Sequence, residues 1–226
     1  MVTLIMVSPR FRCKDCGRKF VENASRQPVS QDTRNLIDKL LLERLSLRAI
    51  QRVTKVSLSW LQIYVNQKYQ EVKQEVKVTE KKEGPRKIQI DELWSFVTDK
   101  GKKYWVWLAI DVETREIVGV YIGDRSEKSA RKLWESLPAV YRKCAVCYTD
   151  YWQSYQGVLP KKRHKAVGKE TGLTSYIERF NNTLRHRVGR LVRKSLSFSK
   201  KVENHIGAIW YFIHHYNSEL QSLTLP

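Results

Sequence analysis

Residues 87–122 read KIQIDELWSFVTDKGKKYWVWLAIDVETREIVGVYI, and their patterning decides the fold. Three largely apolar runs, Lys87–Val97, Lys103–Val112 and Glu116–Ile122, are separated by the turn sequences Asp99-Lys100-Gly101 and Glu113-Thr114-Arg115. Connections this short join antiparallel neighbours, so a three-stranded meander is expected.

Working outward, Ser126–Leu137 has helical spacing and stops at Pro138. Lys143–Thr149 reads as a buried strand returning parallel to the first, and Arg163–Val167 as a further short strand. A helix from Thr174 and a last helix over Val202–Glu219 complete the order βββαβαβα. That order predicts the α/β class and a ribonuclease-H-like domain. Its mixed sheet has three antiparallel strands extended by parallel ones, with flanking helices.

The acids acquire meaning in this frame. Asp91 lies mid-strand in Ile88–Trp94, where burying a carboxylate costs several kcal/mol unless it is paired or bound to metal. Asp150 ends the fourth strand, and the carboxyl end of a parallel strand is where such sheets place functional groups. Strands one and four are neighbours in this topology, so the two aspartates are expected side by side. Glu178 falls in TSYIERFNNTLRHRVGRLVRKSLSFSKK, residues 174–201. There Ile177, Phe180, Leu184, Val188 and Leu191 form an apolar stripe at helical period. Glu178, Asn182 and Arg185 line a second face beside it. A helix crossing the sheet edge would close the group.

Each acid also has a plainer reading. Ser175-x-x-Glu178 spells a capping box, Asp91 fits a strand end, and Asp150 fits a turn or N-cap. Their coincidence in the right three elements favours a shared site. Three converging carboxylates repel one another unless divalent ions bind among them, and magnesium takes all-oxygen sites. Two ions about 3.5–4 Å apart serve in-line phosphoryl displacement. Asp91, Asp150 and Glu178 are therefore the candidate catalytic residues and ligands of Mg2+ (or Mn2+), with two ions expected. Asp111 is expected as a turn residue, and Trp94, Trp105, Trp107 and Trp134 as core. Trp152 and Tyr155 are candidates for stacking on a base. His164 and His186 read as phosphate contacts or surface histidines.

Lysine and arginine number 42 against 23 acids, a surplus of +19 that predicts a polyanionic partner. The basic residues run through the whole chain interleaved with aromatics, which favours nucleic acid over a membrane surface. Arg179, Arg185, Arg187, Arg190, Arg193 and Lys194 surround Glu178 and are candidate DNA-phosphate contacts. No run of 18 apolar residues exists, so no membrane span is expected. The start, MVTLIMVSPRFRC, reads as a strand or a truncated beginning rather than a signal peptide. With four cysteines and no secretory signal, disulfides are not expected.

Nearer the N-terminus, Cys13-Lys-Asp-Cys16-Gly between Phe11 and Phe20 has the form of a zinc knuckle. A closed site needs four ligands, and the other pair, Cys144 and Cys147, lies in what reads as a buried strand. Half a zinc ribbon, with Cys13 and Cys16 as candidate zinc ligands, is the preferred reading. From Gln31, with Asp32 as cap, a helix faces Leu36, Ile37, Leu40 and Leu41 inward. Ser46 opens a second helix, and a turn through Lys55 and Val56 leads to a third over Ser57–Lys68. This pattern resembles a helix-turn-helix with Ser57–Lys68 as recognition helix; a plain three-helix bundle is the alternative. Residues 71–85, EVKQEVKVTEKKEGP, are charged and read as a linker. The expected division is a knuckle over 1–28, a helix-turn-helix domain over 29–70, the linker over 71–85 and a catalytic domain over 86–226.

Together IDELWSF, YTDYWQSY and IERFNNTLRHRVGRLVRKSLSFSK resemble the DDE transposases of the insertion-sequence-one family, and the RKSLSFSKKVE segment is the most distinctive part. The resemblance covers nearly the whole chain, apart from the family's first CxxC knuckle. It implies that Asp91, Asp150 and Glu178 carry the metal ions and that Arg185 is aimed at DNA phosphate. It further implies a cytoplasmic, nucleoid-associated enzyme acting on double-stranded DNA. Its metal-activated water would cut the element's terminal inverted repeats, and the 3′-hydroxyl would attack target DNA. A homo-oligomer is expected, because two ends must be held together. The alternatives are a nuclease of the same fold without strand transfer, and a non-enzymatic repressor derived from a transposase.

Overall fold

A computed structural model describes residues 10–21, 28–80, 84–191 and 198–224 of the chain. It begins with an antiparallel hairpin of β1 (Arg10–Arg12) and β2 (Lys19–Val21), with the rings of Phe11 and Phe20 stacked at 5.7 Å. Three helices follow: α1 (Gln31–Leu40), α2 (Leu47–Thr54) and α3 (Leu58–Glu71). Ser46 and Ser57 cap α2 and α3 as their sequences suggest, each hydroxyl accepting a backbone N–H. The cap of α1 is Ser30, whose hydroxyl accepts from Thr33, while Asp32 sits in the first turn, where its charge suits the helix dipole. Leu36, expected to face inward, is exposed.

The sheet follows as β3 (Arg86–Val97), β4 (Asp99–Asp111), β5 (Ile117–Gly123), β6 (Ala145–Thr149) and β7 (His164–Ala166). Its spatial order is β5-β4-β3-β6-β7. The first three strands run antiparallel, β6 lies parallel to β3, and β7 lies parallel to β6. Both faces of the sheet are covered. Ile88 and Ile90 pack in a cluster with Ala130 and Leu133 of α4 (Glu127–Ser136) and Tyr141 of α5 (Ala139–Cys144). Leu93 packs on the other face with Ile177 and Phe180 of α6 (Ser175–Arg187) and Ile209 of α7 (Val202–Thr224). Burial on both sides explains why the central strands read as nearly continuous apolar runs.

Several boundaries differ from the sequence reading: β4 begins at Asp99, so the expected turn Asp99-Lys100-Gly101 lies within the strand, and α7 runs past Glu219 to Thr224. The segment AVYRKC forms α5, so β6 starts only at Ala145, and Cys144 ends a helix instead of sharing a strand with Cys147. Helix α6 ends at Arg187; Val188 and Leu191 continue the buried stripe across a 3-10 turn at Gly189–Leu191. The helical segment does not pack alone. Ile37, Ile50, Leu61 and Val65 belong to the same apolar cluster as α6 and α7. The charged segment after α3 is anchored too: the carbonyls of Lys73 and Lys77 bond His214 and Asn217, and Thr79 donates to Glu116.

Candidate active site

Strand register builds the site. The β3–β6 pairing reaches Gln89 opposite Tyr148. Asp91 follows two residues further along β3, and Asp150 comes directly after the last residue of β6, close enough for its charge to act on Asp91. Helix α6 crosses this end of the sheet because its N-terminus is held there. Gln89, buried in β3, accepts from the backbone N–H groups of Tyr176 at 2.8 Å and Ile177 at 3.0 Å. The helix is thus capped by a strand residue, and the capping box of Ser175 and Glu178 does not form. Thr174 takes the N-cap position, and its hydroxyl donates to Glu178 Oε1 at 2.8 Å.

Asp91, Asp150 and Glu178 line one cleft of about 510 Å³ with Lys169, Asn181 and Arg185. Asp91 Oδ1 accepts from the backbone of Glu92, and Oδ2 accepts from Asn181 Nδ2, each at 2.8 Å. Asp150 Oδ1 accepts from the backbone N–H of Trp152 at 2.9 Å. Burial pushes the Asp91 carboxyl up to about 7, and the charges of Glu92 and Asp150 push the same way against its hydrogen bonds. The carboxylate oxygens of this cleft suit a hard divalent cation. The acids share its walls without meeting at one point. Among the described residues no three of His, Cys, Asp or Glu are gathered closely enough to hold one ion.

The other candidate residues separate into two groups. Arg185 lines the cleft and Arg179 is exposed on the same helix. Arg187 instead ties elements together: it pairs with Glu43 at 2.6 Å, donates to the Leu42 carbonyl and lies over the Phe212 ring. Arg190 lies over the Tyr69 ring at 5.5 Å and donates to Ser199 at 3.4 Å. Both are half-buried and tie elements of the fold together. Arg193 and Lys194 lie outside the described residues.

Tyr155 is buried at 1% exposure, donates to Glu92 Oε2 at 2.6 Å and meets Trp107 edge to face. It offers no ring face to a base. Trp152 has its ring against the guanidinium of Arg125 at 3.7 Å. The aromatic that faces solvent beside Asp150 is Tyr151, 67% exposed, which sequence reasoning passed over. It also passed over Asn181 and Glu92. Asn181 precedes Asn182 by one residue and alone reaches Asp91. Glu92 stands on the sheet face opposite Asp91 and holds Arg125 at 2.6 Å.

Asp111 is the turn residue expected, accepting from Glu113, Thr114 and the Tyr141 hydroxyl. His164 bonds Thr149 at 2.8 Å, and burial lowers its pKa; His186 is exposed. In the knuckle, Gly17 takes a left-handed φ of 69° and its N–H closes on the Cys13 carbonyl. The Cys13 thiol is lowered by hydrogen bonds from the backbone of Cys16 and Asp15. All four cysteines are free thiols.

A mixed sheet in this order, with flanking helices, one acid on its first strand and another directly after its fourth, is consistent with the ribonuclease-H-like catalytic domain of a DDE transposase. The family pattern described as IS1 transposase matches residues 87–217, from β3 into α7 and including all three acids. Over 125 residues, 55% of this chain, it is 37% identical to the insertion element iso-IS1n protein InsB of Shigella dysenteriae, covering 92% of that protein. It is 36% identical over the same length to the IS1 protein InsB of Shigella flexneri, covering 92% of it. A third relative, the IS1 4 protein InsB of Escherichia coli (strain K12), is 34% identical over 125 residues and covered to 72%. The chain belongs to the IS1 transposase family. No helix among the described residues is long and apolar enough to cross a membrane.

Proposed function

We propose that this protein is a DNA transposase that cleaves at the ends of its element and joins the freed 3′-hydroxyl to target DNA. The observation that carries the reading is that Asp91 on β3, Asp150 at the end of the neighbouring β6 and Glu178 on α6 line one cleft. Asp91, Asp150 and Glu178 would hold Mg2+ or Mn2+. Two such ions, when bound, supply an activated attacking oxygen and stabilise the leaving one. Asn181 fixes the orientation of the Asp91 carboxylate. Arg185 and Lys169 on the cleft wall, with Arg179 beside them, meet the phosphates of the DNA strand and hold it in line.

The two helices joined through Lys55 form the DNA-reading unit of the proposal. The outer face of α3 exposes Ser59, Gln62, Ile63 and Gln67, groups suited to base edges and thymine methyls. Arg48, Arg52 and Lys55 are exposed on the neighbouring helix and turn, where they suit backbone phosphates. The helical unit (29–70) and the catalytic unit (86–226) would act on one DNA end, and synapsis of two ends calls for at least two copies. The thiols of Cys13 and Cys16 would contribute half of a zinc site.

A strand-transfer assay on DNA carrying the element's terminal repeats tests this, with Asp150→Asn as control. Joined products with the parent protein and none with Asp150→Asn are expected. Cleavage without joining would convert the reading to a nuclease. Binding with neither reaction would convert it to a DNA-binding repressor.

A further inference from the structure

Behind the acidic cleft lies a second network that the reaction does not use directly. Side chains alternate along β3, so Glu92 points to the opposite face of the sheet from Asp91. Its carboxylate side chain is 1% exposed. Oε1 receives both Nε and Nη2 of Arg125, at 2.8 and 2.6 Å, and Oε2 receives the Tyr155 hydroxyl at 2.6 Å. The Arg125 guanidinium is stacked between two indoles, 4.4 Å from the Trp105 ring and 3.7 Å from the Trp152 ring. Ser154 donates to the Arg125 carbonyl at 3.3 Å. Residues 152, 154 and 155 all belong to the loop that follows Asp150, and the backbone N–H of Trp152 donates to Asp150 Oδ1.

We propose that Glu92 and Arg125 are positioning residues that clamp the Asp150 loop to the strand carrying Asp91. The inference rests on the reading of Asp91 and Asp150 as a cation-binding pair. The carboxylates of Asp91 and Asp150 repel each other, and a loop free to move would carry Asp150 away. The clamp opposes that motion from the far side of the sheet. One end is Glu92, covalently next to Asp91. The other is Trp152, whose ring lies on Arg125 and whose backbone holds Asp150. Arg125 also gives the buried Glu92 carboxylate an ion-pair partner, so that it is not left an unpaired charge behind the acids. The site is thereby preorganised for a cation before one arrives.

The test is a calorimetric titration of the full chain with Mn2+, alongside a thermal melt. The double substitution Glu92→Gln with Arg125→Gln removes both charges together, so neither is left buried alone. Trp152→Leu removes the ring from Arg125 but keeps the N–H on Asp150, and Trp152→Phe keeps an aromatic face. The double variant and Trp152→Leu are expected to weaken Mn2+ binding about 10- to 100-fold, the range for outer partners of metal ligands. Trp152→Phe should restore most of it. Mn2+ affinity within about twofold of the parent, with only a lowered melting temperature, would overturn the clamp and leave an ordinary structural ion pair. If the double variant does not fold, Trp152→Leu decides by the same criterion. No Mn2+ uptake by the parent protein, with Asp150→Asn indistinguishable from it, would overturn the acid-pair reading and the clamp with it.

Discussion

Gln89 on β3 accepts a hydrogen bond from the backbone N–H of Ile177 at 3.0 Å, so a strand residue caps the helix that carries Glu178. Gln89 and Asp91 are two apart on the strand and share one face of the sheet. The same short run therefore supplies an acid to the cleft and fixes the helix bearing another. It also relieves Glu178 of capping, the role its local sequence suggests.

Replacing Gln89 tests this coupling. Gln89→Leu keeps the volume but leaves two donors at the start of α6 without their acceptor. A loss on the order of 1–3 kcal/mol is expected from unpaired buried donors. Mn2+ binding should weaken beyond what the lower melting temperature explains, because Glu178 loses its anchor. Calorimetric Mn2+ titration at a temperature where the variant is fully folded checks this; unchanged affinity would show that α6 is placed by its apolar stripe alone.

The Asp91 carboxyl predicts an unusual pH response of the metal-free protein. Its value is raised from 3.8 to about 7, first by burial and then by Glu92 and Asp150. The folded state therefore holds this proton more tightly than the unfolded chain. Its contribution to stability is full below pH 4 and is lost as pH rises towards 7. Asp91→Asn removes that loss. In the presence of EDTA at pH 8 the variant should be more stable than the parent by an amount on the order of a few kcal/mol, while near pH 4 the two should converge. Parallel melts across that range check it. A variant less stable at pH 8 would mean that the charge is compensated.

What the sequence made legible follows from periodicity, and what it hid follows from side-chain direction. Apolar runs, short turns and the order of strands and helices were enough to place the strands that carry Asp91 and lead to Asp150 beside each other. Glu92 was not legible as a paired group, because alternation sets its face but gives no sign of a partner 33 residues away at Arg125. Lys143 and Cys144, read as the start of a strand, end α5 instead, a short helix that follows Pro138 and packs Tyr141 against the sheet. Asn181 and Asn182 differ by one helical step, and only the crossing angle of α6 decides which reaches Asp91. Arg187 looked like its basic neighbours until Glu43 and Phe212 were seen around it.

That contrast between arginines gives a salt-dependence prediction. Arg179→Ala and Arg185→Ala should each lower the slope of log K against log salt by about 0.9 for a lost phosphate contact on duplex DNA. Arg187→Ala should leave the slope unchanged and lower stability by about 1 kcal/mol, through its partly exposed pair with Glu43. Fluorescence anisotropy on duplex DNA at several salt concentrations separates the two outcomes. A reduced slope for Arg187→Ala would return that residue to the DNA surface.

The aromatic residues after Asp150 divide in the same manner. Tyr151 is 67% exposed and Tyr155 is 1% exposed, so only the former can lie against an unpaired base at a cleaved end. Tyr151→Ala should leave the melting temperature within about 1 °C, as surface substitutions do. It should weaken binding to DNA with a single-stranded end by about 1–3 kcal/mol, the range for one stacked base. Tyr155→Phe should behave in the opposite way. It withdraws a hydrogen bond from the buried Glu92 carboxylate and so costs about 1–3 kcal/mol of stability, with binding by the folded fraction unchanged. If Tyr151→Ala binds both fully paired and single-stranded ends like the parent, base stacking at this loop is excluded, and the cleft holds DNA through its phosphates alone.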